Sequence, residues 1–255
     1  MSARWTLLYY TPIFALAVRG LPPAAAGSIL IPTNLGFGTG GLIVGWLHIR
    51  RNGNFWAGCV VSLCFFAVTL YCLSLVGTAT SPTWLFVAVV FLNGLATGST
   101  LNYTLAHLLH LSHEGTHFIT TSLLGTFRGF GGSFGTAIGG GVFLRILKAS
   151  LESGFKKLDG GDGLGDARKE LVKKLAGSPA LVFGGGLSDA ERDIAVEGYA
   201  GASRGTWQAA AALGILMIVV QAATGWRGPA GELEDDEDAD EARATLMEHE
   251  GVGEA

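Results

Sequence analysis

Six apolar stretches, each about as long as a bilayer crossing, contain no Asp or Glu. They are Trp5–Val18, Ala24–Leu47, Phe55–Gly77, Trp84–Ala106, Phe118–Leu144 and Trp207–Trp226. A hydrocarbon core about 30 Å thick takes about 20 apolar residues as helix. The pattern predicts an all-α polytopic membrane protein, a six-transmembrane-helix bundle over residues 1–226. The first stretch is only 14 residues long, so the chain reads as one that begins in mid-helix. One deeply placed charge, Arg128, interrupts the pattern.

Charge is distributed unevenly. Residues 1–230 carry 16 basic and 10 acidic side chains, whereas residues 231–255 carry 1 and 11. The segment 227–255 is therefore expected to be a disordered, acidic cytoplasmic tail. The 39 glycines are too many for a soluble helical domain. In membrane helices glycine lets backbones approach closely. Cys59, Cys64 and Cys72 share one stretch and are expected to act as small apolar residues.

The loops set an orientation. His48, Arg50 and Arg51 follow the second stretch, and positive charge in short loops marks the cytoplasmic side. The His107–His117 loop and both termini then share that side. The long loop 145–206 faces the lumen or exterior. Within it, Leu144, Leu147, Leu151, Phe155 and Leu158 recur at helical spacing, which predicts an amphipathic helix lying at the interface. Ser188-Asp189-Ala190-Glu191 reads as a capping box.

Small residues at four-residue spacing mark close helix packing. The fifth stretch has Gly125, Gly129, Gly131, Gly135 and Gly139; the second has Gly36/Gly40 and Gly41/Gly45; the fourth has Gly94/Gly98. Pro12 and Pro32 predict kinks, which neighbouring helices can satisfy. A 3+3 inverted repeat over the six spans is a further expectation.

Few groups could carry chemistry. Arg128 lies about 15 Å along its helix, taking 1.5 Å per residue. A central arginine costs about 2.5–3.5 kcal/mol on insertion scales, so it is expected to face a bundle interior or aqueous cavity. Its two readings are a substrate or gating contact and a structural or snorkelling cation. Asn34, Asn93 and Tyr103, with Gln221, are weaker candidate cavity liners, since such residues more often bond between helices than contact a ligand. His113-Glu114-Gly115-Thr116-His117 matches the zinc-protease pattern, in which two histidines one turn apart bind zinc and the glutamate is general base. A glycine inside the motif and its place in a short loop argue against it, and no metal or cofactor is expected. The Asn102-Tyr103-Thr104 sequon lies where glycosylation cannot reach it.

Several runs together are similar to a known family. Tyr9-Tyr10-Thr11-Pro12-Ile13-Phe14, Ala17-Val18-Arg19-Gly20 and Leu30-Ile31-Pro32 resemble the start of the C-terminal half of the 14-helix drug:proton antiporter branch of the major facilitator superfamily. Phe127-Arg128-Gly129-Phe130-Gly131-Gly132-Ser133-Phe134-Gly135 resembles the pattern of that branch's penultimate helix. Glu197-Gly198-Tyr199 and Ala202–Trp207 are similar to the run leading into its last helix. The nearest look is to fungal multidrug exporters and vacuolar basic amino-acid permeases. Gly45, Arg50, Arg51 and Gly53 occupy the superfamily's cytoplasmic loop motif, but Ile49 takes its acidic position.

The resemblance implies one half of a proton-coupled transporter working by alternating access. Its partners would be the bilayer, a small organic solute, protons, and a missing N-terminal half or a second chain. Nucleic acid is not among them. The membrane would be the vacuolar or plasma membrane. Two alternatives stand beside this: a non-transporting half that regulates another, and a membrane metalloprotease.

Overall fold

The structure, a computed structural model, describes residues 1–49, 55–161 and 163–225. Arg50, Arg51, Gly53 and the acidic tail lie outside the described residues. Among the described residues eight α-helices follow in order: α1 (Ser2–Ala17), α2 (Pro23–Ser28), α3 (Leu30–Leu47), α4 (Phe55–Val76), α5 (Thr83–His110), α6 (His117–Leu158), α7 (Asp166–Gly177) and α8 (Asp189–Ala223). Short 3-10 turns cover Glu114–Thr116 and Pro179–Val182. Among the described residues the regular structure is wholly helical.

Among the described residues five segments are long and apolar enough to cross a membrane: Pro23–Leu47, Phe55–Val76, Thr83–His110, Glu114–Leu158 and Asp189–Ala223. Helix α1, at 16 residues, spans about 24 Å and falls short of the hydrocarbon thickness. It is still a full member of the bundle, with Leu7, Phe14, Ala15 and Ala17 buried. The second apolar stretch is divided, because the helix breaks at Ile29. Pro32 explains the break: it has no N–H to give the Ser28 carbonyl, and its ring crowds that oxygen.

Helix directions follow from the residues that meet. Thr33 meets Gly94 and Phe37 meets Gly98, so α3 and α5 run parallel. Ser2 meets Gly135 and Thr6 meets Gly139, so α1 and α6 run parallel. Thr69 pairs with Asn93, and Gly58 with Tyr103, so α4 runs against α5. Trp56 reaches Gln221 and Gly214 meets Ala67, so α8 runs against α4. Exchanging α1, α3 and α4 for α5, α6 and α8 carries the pair α3/α5 onto α6/α1. It also carries the α4–α5 contact onto the α8–α1 contact and leaves the α4–α8 contact in place. Each helix is exchanged for one of opposite direction, which is the relationship of an inverted repeat.

Between lipid-facing helices the hydrophobic effect is weak, and close van der Waals packing does the holding. The α3/α5 pair achieves it through glycines on both helices. A methyl group on Gly36, Gly40, Gly94 or Gly98 would overlap a backbone carbonyl of the facing helix. At the end where α1 and α4 finish and α5 begins, Phe14, Phe86 and Trp207 form a buried aromatic cluster, with Phe14 5.0 Å from Phe86 and 5.3 Å from Trp207. Outward-facing side chains such as Leu42, Trp46, Val61, Ile138 and Val219 are exposed and apolar, as a lipid-facing surface requires.

The expected interfacial amphipathic helix is corrected by the structure. Residues 145–158 continue α6, whose 42 residues span about 63 Å, twice the hydrocarbon thickness. Leu147, Leu151 and Phe155 are fully buried under α7 and the N-terminal half of α8, so their apolar face is covered by protein. Arg168 fastens this projecting subdomain. It grips Asp159 with two hydrogen bonds of 3.0 and 3.1 Å, pairs with Glu191, and lies over the Phe155 ring. Glu191 closes the expected capping box with Ser188.

At the same end, Arg19 joins two loops. It donates to the Ser81 carbonyl at 2.9 Å, the Ser81 hydroxyl at 2.6 Å, Thr83 at 3.1 Å and the Thr78 carbonyl at 3.3 Å. Gly20 beside it has φ +62, and the Phe183 ring lies 3.3 Å from where a Cβ would sit.

Candidate functional site

The parallel pairs α1/α6 and α3/α5 are each tightly joined, whereas the two pairs touch each other sparsely. This leaves a seam, closed behind by α4 and α8. Two arginines cross it, and both come from the α1/α6 side.

Arg128 on α6 donates through Nη2 to the Leu101 carbonyl on α5 at 3.0 Å. That oxygen also accepts from the Thr104 hydroxyl at 3.1 Å. Gly125 and Gly129, on either side of Arg128, meet nothing within 4 Å. Gly131, Gly132, Gly135 and Gly139, further along α6, instead receive Met1, Ser2, Trp5 and Thr6 of α1. The Thr6 hydroxyl donates to the Gly135 carbonyl at 2.8 Å, which fixes the register of the pair.

Arg4 on α1 reaches α3 in the same way. Its Nη2 donates to Asn34 Oδ1 at 3.3 Å, and its guanidinium lies 4.0 Å from the centre of the Phe37 ring. Its Nη1 is buried without a hydrogen-bond partner. Asn34 in turn donates to the Leu30 carbonyl at 3.0 Å. Sequence reasoning missed Arg4 because it precedes the apolar run counted from Trp5. The signal available was a basic residue within a helix that begins at Ser2.

The remaining candidates lie elsewhere. Asn93 is buried against α4 and donates to the Thr69 hydroxyl at 2.9 Å. A buried amide in an apolar contact takes the nearest acceptor, here across α4 and α5. Tyr103 also turns to α4, over Gly58, with its ring 5.3 Å from that of His48. The Gln221 carbonyl accepts from Trp56 Nε1 at 3.1 Å, tying α8 to α4. Gly45 meets nothing within 4 Å.

The zinc-protease geometry does not form. Glu114–Thr116 is a 3-10 turn, and α6 begins at His117, so the two histidines do not share a helical face. His113 caps the turn, and His117 Nε2 lies 2.9 Å from the Ser112 carbonyl and 3.1 Å from that of Leu109. Among the described residues no group of three or more His, Cys, Asp or Glu is placed to hold a metal.

The charge balance around the seam is one-sided. In the first 151 residues Glu114 is the sole acidic side chain, and it is exposed at the turn before α6. Among the described residues no carboxylate of the apolar stretches is therefore available to either arginine.

No family model matches the chain. It is 28% identical over 222 residues to the MFS transporter L2 of Phoma sp.. The aligned region covers 84% of this chain and 34% of that relative, so the chain spans about a third of the relative's length.

Proposed function

We propose that this chain acts as the C-terminal half of a major facilitator transporter, moving a small organic solute by alternating access. The observation that carries this reading is the similarity to a named MFS transporter across 84% of the chain. The inverted relationship between α1, α3, α4 and α5, α6, α8 supports it. Transporters of this design place substrate near the midplane, between two halves that rock against each other.

In this proposal the seam face turns toward the second half, and α4 and α8 lie behind it. The carboxylates for proton coupling come from that second half, because the six apolar stretches of this chain have none. Exchange of solute for protons, the 14-helix branch and a vacuolar or plasma membrane belong to the same reading. Gly125 and Gly129, which have open space beside them, give the second half a smooth surface to move against.

The test is reconstitution. The chain is placed in proteoliposomes alone and together with the N-terminal portion of an L2-like transporter. Uptake of labelled lysine, ethidium and benzoate is then measured with and without a pH gradient. Gradient-driven uptake of at least one probe is expected only when both halves are present. Equal leakage in all vesicles overturns the proposal.

A further inference from the structure

The seam carries an electrostatic problem that the chain does not solve by itself. Arg4 and Arg128 bridge the same gap from the same side, one to α3 and one to α5. Phe37 meets Gly98, and Leu101 lies three residues further along α5, about 4.5 Å at 1.5 Å per residue. By the same register Asn34 lies level with about residue 95, so the two guanidinium groups reach into the seam within about 4.5–9 Å of each other along its length. Met1 lies within electrostatic range of both.

Their protein partners are weak. Arg128 shares one carbonyl with a threonine hydroxyl. Arg4 has one long bond to an amide oxygen and an aromatic face, while its Nη1 is buried and unpartnered. A guanidinium offers five donors in a planar fork that matches an oxyanion. A structural arginine in a membrane bundle normally ends in a carboxylate or several carbonyls. Arg19 shows what that looks like here, with four oxygen acceptors, although its Nε too is buried without a partner. Arg4 and Arg128 have fewer oxygen acceptors, and among the described residues no acidic side chain lies in the bundle's apolar stretches to add one.

Resting on the transporter reading, we propose that Arg4 and Arg128 form the cationic poles of a binding site for a small organic anion bearing a carboxylate. Phe37 supplies an apolar floor beside Arg4, and Asn34 an amide. The open surface at Gly125 and Gly129 leaves room beside Arg128. The same pair disfavours a cationic solute, since like charges in a medium of low dielectric repel strongly. This narrows the substrate class from basic amino acids and cationic drugs to anions.

The experiment uses the full chain in lipid nanodiscs and ligand-observed fluorine resonance. The probe is 4-fluorobenzoate, and 4-fluorobenzamide is its neutral isostere. Broadening of the benzoate signal, with the benzamide at most one-tenth as affected, is the expected result. Arg4→Gln and Arg128→Gln should each reduce benzoate broadening at least tenfold. Arg4→Lys and Arg128→Lys should retain part of it at unchanged elution volume, which separates loss of charge from loss of fold. Equal broadening by both probes, benzoate broadening that survives both glutamine variants, or none at all overturns the inference. Binding is read on this chain alone. A transporter that moves lysine or ethidium with its second half but shows no benzoate selectivity would sink the anion site and leave the transporter reading standing.

Discussion

Gly94 of α5 lies so close to the Thr33 carbonyl of α3 that any side chain would overlap it. The relationship is reciprocal one turn on, where Gly36 and Gly40 sit under the Phe91 and Leu95 carbonyls. The two backbones touch along a parallel pair, and this pair forms one wall of the arginine seam.

Gly94→Ala is therefore expected to separate α3 from α5, with an overpacking cost of about 1–3 kcal/mol. Gly125→Ala, where nothing lies within 4 Å, should be close to neutral. Thermal unfolding in detergent, followed by monodisperse elution, compares them. Equal midpoints would show that the α3/α5 contact is looser than described.

Arg19→Ala should loosen the joint between the α1–α2 and α4–α5 loops. It strands the Thr78 and Ser81 carbonyls, at about 1–3 kcal/mol for groups left unsatisfied. Arg19→Lys should recover only part of this, because an ammonium cannot match the fork. A lysine variant as stable as the parent would reduce the joint to simple charge.

Asn93 and Thr69 should behave as an interhelical hydrogen-bond pair. A double-mutant cycle with Asn93→Ala and Thr69→Val is expected to give a coupling of about 0.5–2 kcal/mol. Transport by the reconstituted pair should tolerate Thr69→Val. Additive losses would remove the bond from the account.

The projecting subdomain should weaken in acid. The Arg168 hydrogen bond, then the Ser188 backbone, hold the Glu191 carboxyl below the usual glutamate range. A depressed carboxyl contributes stability that is present above its unfolded value and lost as pH falls through the folded value. Arg168 is itself held above its ordinary range, by Asp159 first and then Glu191, so it stays charged throughout this window. Hydrogen exchange at the start of α8 should therefore speed up as pH drops through and below the ordinary carboxylate range, after correction for intrinsic rates. Glu191→Gln should flatten that dependence. An unchanged acid profile in the variant would assign the effect to another carboxylate.

The helical membrane character was legible in the sequence because it depends on a one-dimensional property, long runs without carboxylates. The capping box at Ser188 was legible for a similar reason: its partners are three residues apart. One feature was misjudged. The interfacial helix became the end of α6, because periodicity shows an apolar face but not what covers it. The His113–His117 motif was set aside because a glycine in a short loop does not hold both histidines on one helix, and Gly115 sits in a 3-10 turn.

The site was half legible. Arg128 stood out as a charge inside an apolar run, and Asn34 was named beside it as a candidate. Arg4 did not, because a basic residue ahead of a span is ordinary until the helix around it is seen. Asn93 and Tyr103 share a helix with the seam, yet face α4. Sequence by itself determined what each span is made of: apolar helices, glycine steps, and one cation without acids. Only the tertiary structure decided which faces meet. Helix spacing is set by where glycine lets backbones touch, and that brings Arg4 and Arg128, 124 positions apart in the chain, to one seam.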